Sequence, residues 1–133
     1  RFCAPGNPEL TEQIILLTHA QSVPVEEADY LFFSTLEELP GAMKNAKEGT
    51  LENPHASATL IIRIPDFSAE QTGVLSGPGV DGHKKIDLPA TVWQTIQQRN
   101  QKEYEYPQGI DLVFLLPHNE LICIPRRVRM EEC

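Results

Sequence analysis

Tyr106-Pro107-Gln108-Gly109-Ile110-Asp111 leads into an apolar run from Ile110 to Leu116. Pro117-His118-Asn119-Glu120 interrupts it, and a second run from Leu121 to Ile124 ends in Pro125-Arg126. Two apolar runs separated by four turn-forming residues predict an antiparallel β-hairpin. If Leu116 faces Leu121, the same register sets Asp111 opposite Arg126. An acid beside so much apolar sequence needs a partner, because burying a lone charge is costly. Asp111 and Arg126 are therefore the expected structural pair, one that fixes the hairpin and does no chemistry. Strand neighbours point to opposite faces, so Arg127 is the freer of the two arginines to meet an anionic ligand or a partner chain.

Working outward, Asp87-Leu88-Pro89 predicts the start of a helix. Val92, Trp93 and Ile96 lie on one face of it, and Gln97, Gln98 and Arg99 largely on the other. Thr72 to Leu75 reads as a short strand followed by a tight turn at Gly77-Pro78-Gly79. Ala58 to Ile64, mostly β-branched, reads as a strong strand ended by Pro65. Thr35 and Glu38 have capping-box spacing for a helix running towards Lys47, with Pro40-Gly41 as a possible restart and Gly49 as its stop. Asp29 to Phe33 reads as a strand. Asn7-Pro8 is a helix start, with Asn as N-cap and Pro at the first helical position, and Leu10, Ile14 and Leu17 recur at helical spacing until Thr18-His19. Helices mixed with strands, including one antiparallel hairpin, imply an α/β fold with a mixed sheet and helices packed on it.

A chain of 133 residues suggests a single domain over 1–133 with one core. The formal charge of −8 argues against nucleic acid as a partner, since phosphate binding needs a basic surface. Apolar runs stay far short of the ~20 residues a membrane helix needs. Cys3, Cys123 and Cys133 have no metal-ligand spacing, and Cys123 within an apolar strand reads as a buried, reduced thiol, which favours a cytoplasmic protein. Arg1-Phe2-Cys3 runs straight into Ala4-Pro5-Gly6 without an initiator Met. The expectation is that an N-terminal part, contributing to the core, is missing from this chain.

Gly77-Pro78-Gly79-Val80-Asp81-Gly82 matches the dinucleotide pattern G-x-G-x-x-G, but the pattern works only where a helix opens within it. His83-Lys84-Lys85-Ile86-Asp87 is no such helix, so a turn needing positive φ is the better reading. That loop can still offer backbone N–H groups to an anion. Gly77, Gly79 and Lys84, with Arg127, form the candidate ligand-binding set, and Lys85 lies beside them. His19, His55, His83 and His118 are scattered without ligand spacing, so no metal site is expected. His118, in the hairpin loop, should be exposed. Leu75-Ser76-Gly77 lacks the first glycine of a nucleophile elbow, and no cysteine–histidine or serine–histidine nucleophile motif is visible. No catalytic residue is assigned.

Taken in order, Gly49-Thr50, Pro54, Ala58-Thr59-Leu60, Leu75-Ser76-Gly77-Pro78-Gly79-Val80, Pro107-x-Gly109-Ile110-Asp111-Leu112 and Ile124-Pro125-Arg126 resemble the PhnH family of the bacterial carbon–phosphorus lyase system. His19 and Ala28-Asp29 fall where that family has a histidine and a strand start. The chain departs from it at His55, where an acidic residue usually follows Pro54, and in a shorter segment after His19, so roles for the His19 and His55 loops are not carried over. The resemblance implies a three-layer α/β/α fold similar to the large domain of pyridoxal-phosphate-dependent transferases. With no convincing cofactor lysine, no cofactor is expected. It also implies a homodimer and an accessory, non-catalytic subunit. The complex it serves joins a phosphonate to the ribose of a nucleoside triphosphate, giving ribose 1-phosphonate 5-triphosphate. The alternative from the residues themselves is a phosphate- or phosphonate-binding module without catalysis.

Overall fold

The computed structural model describes residues 1–64, 70–102, 104 and 107–131; Pro65, Tyr106 and Cys133 lie outside the described residues. In chain order the elements are β1 (Phe2–Cys3), α1 (Pro8–Thr18), β2 (Tyr30–Phe33), α2 (Leu39–Asn45), β3 (Thr59–Arg63), β4 (Glu70–Ser76), β5 (His83–Pro89), α3 (Ala90–Gln101), β6 (Asp111–Leu115), β7 (Leu121–Ile124) and β8 (Arg129–Glu131). They make a mixed α/β structure with two sheets, one ordered β1-β2-β3-β6-β7 and a smaller one ordered β5-β4-β8.

In the larger sheet, β1, β2, β3 and β6 are parallel neighbours, and β7 closes the row antiparallel to β6. Register aligns Leu31, Leu60 and Leu112 in one row and Phe33, Ile62 and Phe114 in the next. All six are buried, and with Leu39, Ala42 and Met43 of α2 and Val92, Trp93 and Ile96 of α3 they form the core. Burying each large apolar side chain is worth about 1.5–3 kcal/mol, which makes this face the main stabilising layer.

Local chemistry explains several boundaries. The Asn7 side chain caps α1, accepting from the Leu10 N–H at 3.1 Å, with Pro8 at the first helical position. The anticipated box at Thr35 and Glu38 does not form. Glu38 occupies the N-cap without a side-chain cap bond, and α2 is a short helix that opens at Leu39 beside Pro40 and ends at Asn45, before Lys47.

The segment His83–Pro89, read from sequence as loop and helix start, is a strand paired along its whole length with β4. Gly77 to Gly82 is therefore a hairpin connection. Three alternating residues, Lys84, Ile86 and Leu88, were too weak a pattern beside two lysines and a proline to reveal it. Trp93 of α3 locks this hairpin to the core by donating from Nε1 to the Gln71 carbonyl at 2.6 Å. A Cβ on Gly73 would lie 2.6 Å from the Trp93 ring, so the indole requires glycine there.

Candidate functional site

The predicted hairpin of β6 and β7 exists, with its register displaced by one residue. Leu115 faces Leu121 and Leu112 faces Ile124, because Leu116 leaves the ladder to meet Glu120 through its backbone, its N–H donating to that carbonyl at 2.9 Å. Asp111 therefore does not sit directly across from Arg126. The two still meet, by a different route. The Asp111 carboxylate accepts the backbone N–H of Arg126 at 2.6 Å, while the Arg126 guanidinium turns to donate from Nε to the Pro107 carbonyl at 3.1 Å. A carboxylate accepting a turn N–H does the work expected of a side-chain ion pair.

Arg126 and Arg127 belong to a turn and not to a strand, so they do not alternate between faces. Both border a cavity of about 490 Å³ with Thr59, Asp111, Cys123 and Pro78. Gly79, Lys84 and Lys85 border a second cavity of about 690 Å³ that runs beside β7 and shares Pro78, Cys123 and Pro125 with the first. The structure thus brings Gly79 and Lys84 together and sets Arg127 next door. Gly77 plays another part. It has φ of +129°, and a Cβ on it would lie 2.5 Å from the Arg127 carbonyl oxygen. Its role is to let the Arg127–Val128 backbone pass close by.

Cys123 is exposed, not buried: β7 is an edge strand, and only alternate residues of it face the core. His118 is exposed at φ +64° in the β6–β7 connection.

The residue that sequence reasoning misplaced is Arg99. It is 2% exposed and lies against the core side of the same hairpin. Its Nη1 donates to the carbonyls of Ile110 at 3.3 Å, Ile124 at 3.1 Å and Pro125 at 3.1 Å; its Nη2 donates to the Val128 carbonyl, and Nε and Nη2 both reach Asn100 Oδ1 at 3.3 Å. The guanidinium thereby ties both strand ends that carry Asp111 and Arg126. Burial lowers its pKa to about 10; the neighbouring Tyr104 partly offsets this, and the like charge of Arg129 lowers it further. The signal was present: Val92, Ile96 and Arg99 are spaced by four and three, which puts Arg99 on the buried face.

Tyr104 packs beside Arg99, with its phenol pushed up to about 12 by burial and by Glu48. Its hydroxyl is buried without a hydrogen-bond partner among the described residues. Lys102 lies over its ring, 5.0 Å from the centroid, and pairs with Glu48 at 3.1 Å.

At the far end of the sheet, Asp29 accepts from Lys47, and that hydrogen bond foremost holds its carboxyl below the usual range. Among the described residues no group of three or more His, Cys, Asp or Glu is placed to hold a metal. No helix among them is long and apolar enough to cross a membrane.

The cluster at Asp111, Arg126 and Gly77 coincides with the ordered motifs of the sequence. A Stutzerimonas stutzeri protein described as a proposed C-P lyase subunit, HtxG, is 26% identical over 129 residues, covering 93% of this chain; the chain spans 63% of that relative's length. The family model of the bacterial phosphonate metabolism protein PhnH matches residues 3–131. A match of that extent includes both sheets, all three helices described and the whole Asp111–Arg126 turn, and the chain belongs to the PhnH family of bacterial phosphonate metabolism proteins.

Proposed function

We propose that this chain is an accessory, non-catalytic subunit of a carbon–phosphorus lyase system, acting in the cytoplasm by assembling with the other subunits of the complex. The family match over residues 3–131 carries this reading. In the system inferred, the complex joins a phosphonate to the ribose of a nucleoside triphosphate to give ribose 1-phosphonate 5-triphosphate. This subunit supplies surface and geometry to that step, with no cofactor of its own. The reading includes a homodimer and a complete three-layer α/β/α fold akin to pyridoxal-phosphate-dependent transferases.

The side-chain inventory supports a supporting role. The polar groups gathered at the hairpin, Asp111, Arg126 and Arg99, are engaged with backbone. Size-exclusion chromatography of the purified protein mixed with the other carbon–phosphorus lyase subunits tests the proposal. Co-elution in a defined ratio is expected, and separate elution would count decisively against it.

A second reading, a phosphate- or phosphonate-binding module, is favoured by one observation: Gly79, Lys84 and Lys85 border one cavity and Arg127 borders the cavity adjoining it. Calorimetry with methylphosphonate and with a nucleoside triphosphate decides it. Heat of binding that disappears in Lys84→Ala is expected on this reading, and no heat from either ligand removes it.

A further inference from the structure

The cavity of about 690 Å³ lies between the β4–β5 hairpin and β7, so the two sheets frame it. On the hairpin side the register pairs Leu75 with Lys84, Gly73 with Ile86 and Gln71 with Leu88. Alternate residues of a strand share a face, and Gly73 is the residue against which the Trp93 ring of α3 packs. Lys84, Ile86 and Leu88 therefore stand on the inward face of the hairpin. Burial falls in steps along that face: Leu88 is buried, Ile86 half-buried and Lys84 exposed. β7 repeats the gradient from the other side, with Ile124 buried and Ile122 half-buried. Leu75 and Val128, both buried, complete the apolar floor.

The groove is thus apolar within and cationic at its mouth. Lys84 and Lys85 border it, against one carboxylate among the described residues, that of Asp81. This polarity suits an organic anion whose charged head stays near water while its carbon substituent goes inward. The volume falls within the range of roughly 300–1,000 Å³ that holds whole small molecules. A one-carbon phosphonate would leave most of the apolar wall in contact with water. A longer substituent releases that water, and this release is its source of affinity.

We propose that this groove selects phosphonates by their carbon substituent. It takes alkyl- or arylphosphonates of several carbons, with the substituent against Leu75, Ile86, Ile122 and Ile124 and the phosphonate at Lys84. The inference rests on the phosphonate-binding reading above and adds to it the class of phosphonate.

Calorimetry of the full chain with methyl-, butyl-, hexyl- and phenylphosphonate tests it, with heptanoate as a carboxylate of like length. Each fully buried methylene is worth about a fourfold gain in affinity. Hexylphosphonate has five more carbons than methylphosphonate, so half that burial per carbon predicts binding about thirtyfold tighter. Ile86→Thr makes the wall polar while keeping a β-branched strand former, and should cut that preference at least about threefold. Lys84→Ala should weaken every phosphonate of the series. Cys123, exposed and bordering the groove, reports the place of binding. Saturating hexylphosphonate should slow its alkylation by iodoacetamide and leave that of Cys3 as before, read by peptide mass spectrometry.

No heat from any phosphonate, or heat untouched by Lys84→Ala, overturns this inference and the phosphonate-binding reading together. Affinity that does not rise from methyl- to hexylphosphonate, a preference unchanged in Ile86→Thr, or an unprotected Cys123 overturns the inference and leaves that reading standing. Heptanoate that binds as tightly as hexylphosphonate overturns the assignment of phosphonate as the head group. The chain-length series and the Cys123 protection use the wild-type protein, so they decide the matter even where Ile86→Thr fails to fold.

Discussion

Replacing Arg99 with methionine should cost about 3 kcal/mol of stability, and the figure follows from what its guanidinium touches. It bonds four backbone carbonyls, those of Ile110, Ile124, Pro125 and Val128. Hydrogen bonds from a charged donor are worth about 1.5–3 kcal/mol each, so even at the low end the set is worth about 6 kcal/mol. Against this stands the cost of keeping the charge out of water. Burial lowers the pKa from 12.5 to about 10, and at ~1.4 kcal/mol per unit that cost is about 3–4 kcal/mol. Methionine removes the bonds and the buried charge together and keeps most of the apolar stem. Urea denaturation with constant m-value measures the loss. Amide exchange should localise it, with protection falling first at residues 110–112 and 124–128. Arg99→Lys, with a smaller donor set on one nitrogen, should recover only part of the loss. A cost below about 1 kcal/mol for the methionine variant, or unchanged exchange at those amides, would refute the claim that this guanidinium clasps the hairpin.

Tyr104→Phe removes a buried hydroxyl without a partner among the described residues, so it should be neutral or stabilising by about 1 kcal/mol in thermal denaturation. Its phenol, raised to about 12 in the folded state, favours folding over the neutral form's ordinary range and loses that contribution as pH rises above 10. Tyr104→Phe should therefore flatten the fall in stability between pH 10 and 12. For Asp29 the sign is opposite: its folded pKa is lowered, so its contribution is full above the unfolded value near 3.8 and is lost as pH falls through the folded value. Asp29→Asn should reduce the slope of an acid-denaturation curve below pH 4, by little in energy because the side chain is substantially exposed. Asp111→Ala removes the acceptor of the Arg126 N–H and should cost about 1–2 kcal/mol in urea titration, less than loss of a buried ion-pair partner. Gly77→Ala should fail to reach wild-type melting temperature even if Gly77 touches no ligand, since a Cβ would collide with the Arg127 carbonyl.

Much of this molecule was determined locally, by residues that interact within a few positions of one another. Asn7-Pro8 sets the start of α1 through a cap three residues long, the β-branched run at Thr59–Arg63 specifies a strand, and the ordered motifs from Gly49 to Arg126 specify family. What only tertiary structure decided involves residues far apart. The hairpin register slipped by one because Leu116 exchanged its ladder place for a turn bond to Glu120. Lys84 and Lys85 became strand because β4 supplied a partner ladder that overrode a weak local pattern. Cys123 stayed exposed because its strand lies at a sheet edge, a position no apolar run reveals. Arg99 became the clasp because a spacing of three and four placed it inward where four carbonyls from the ends of separate strands converge. A charge can be buried only where enough oppositely polarised groups meet it, and that meeting exists only once the chain has folded.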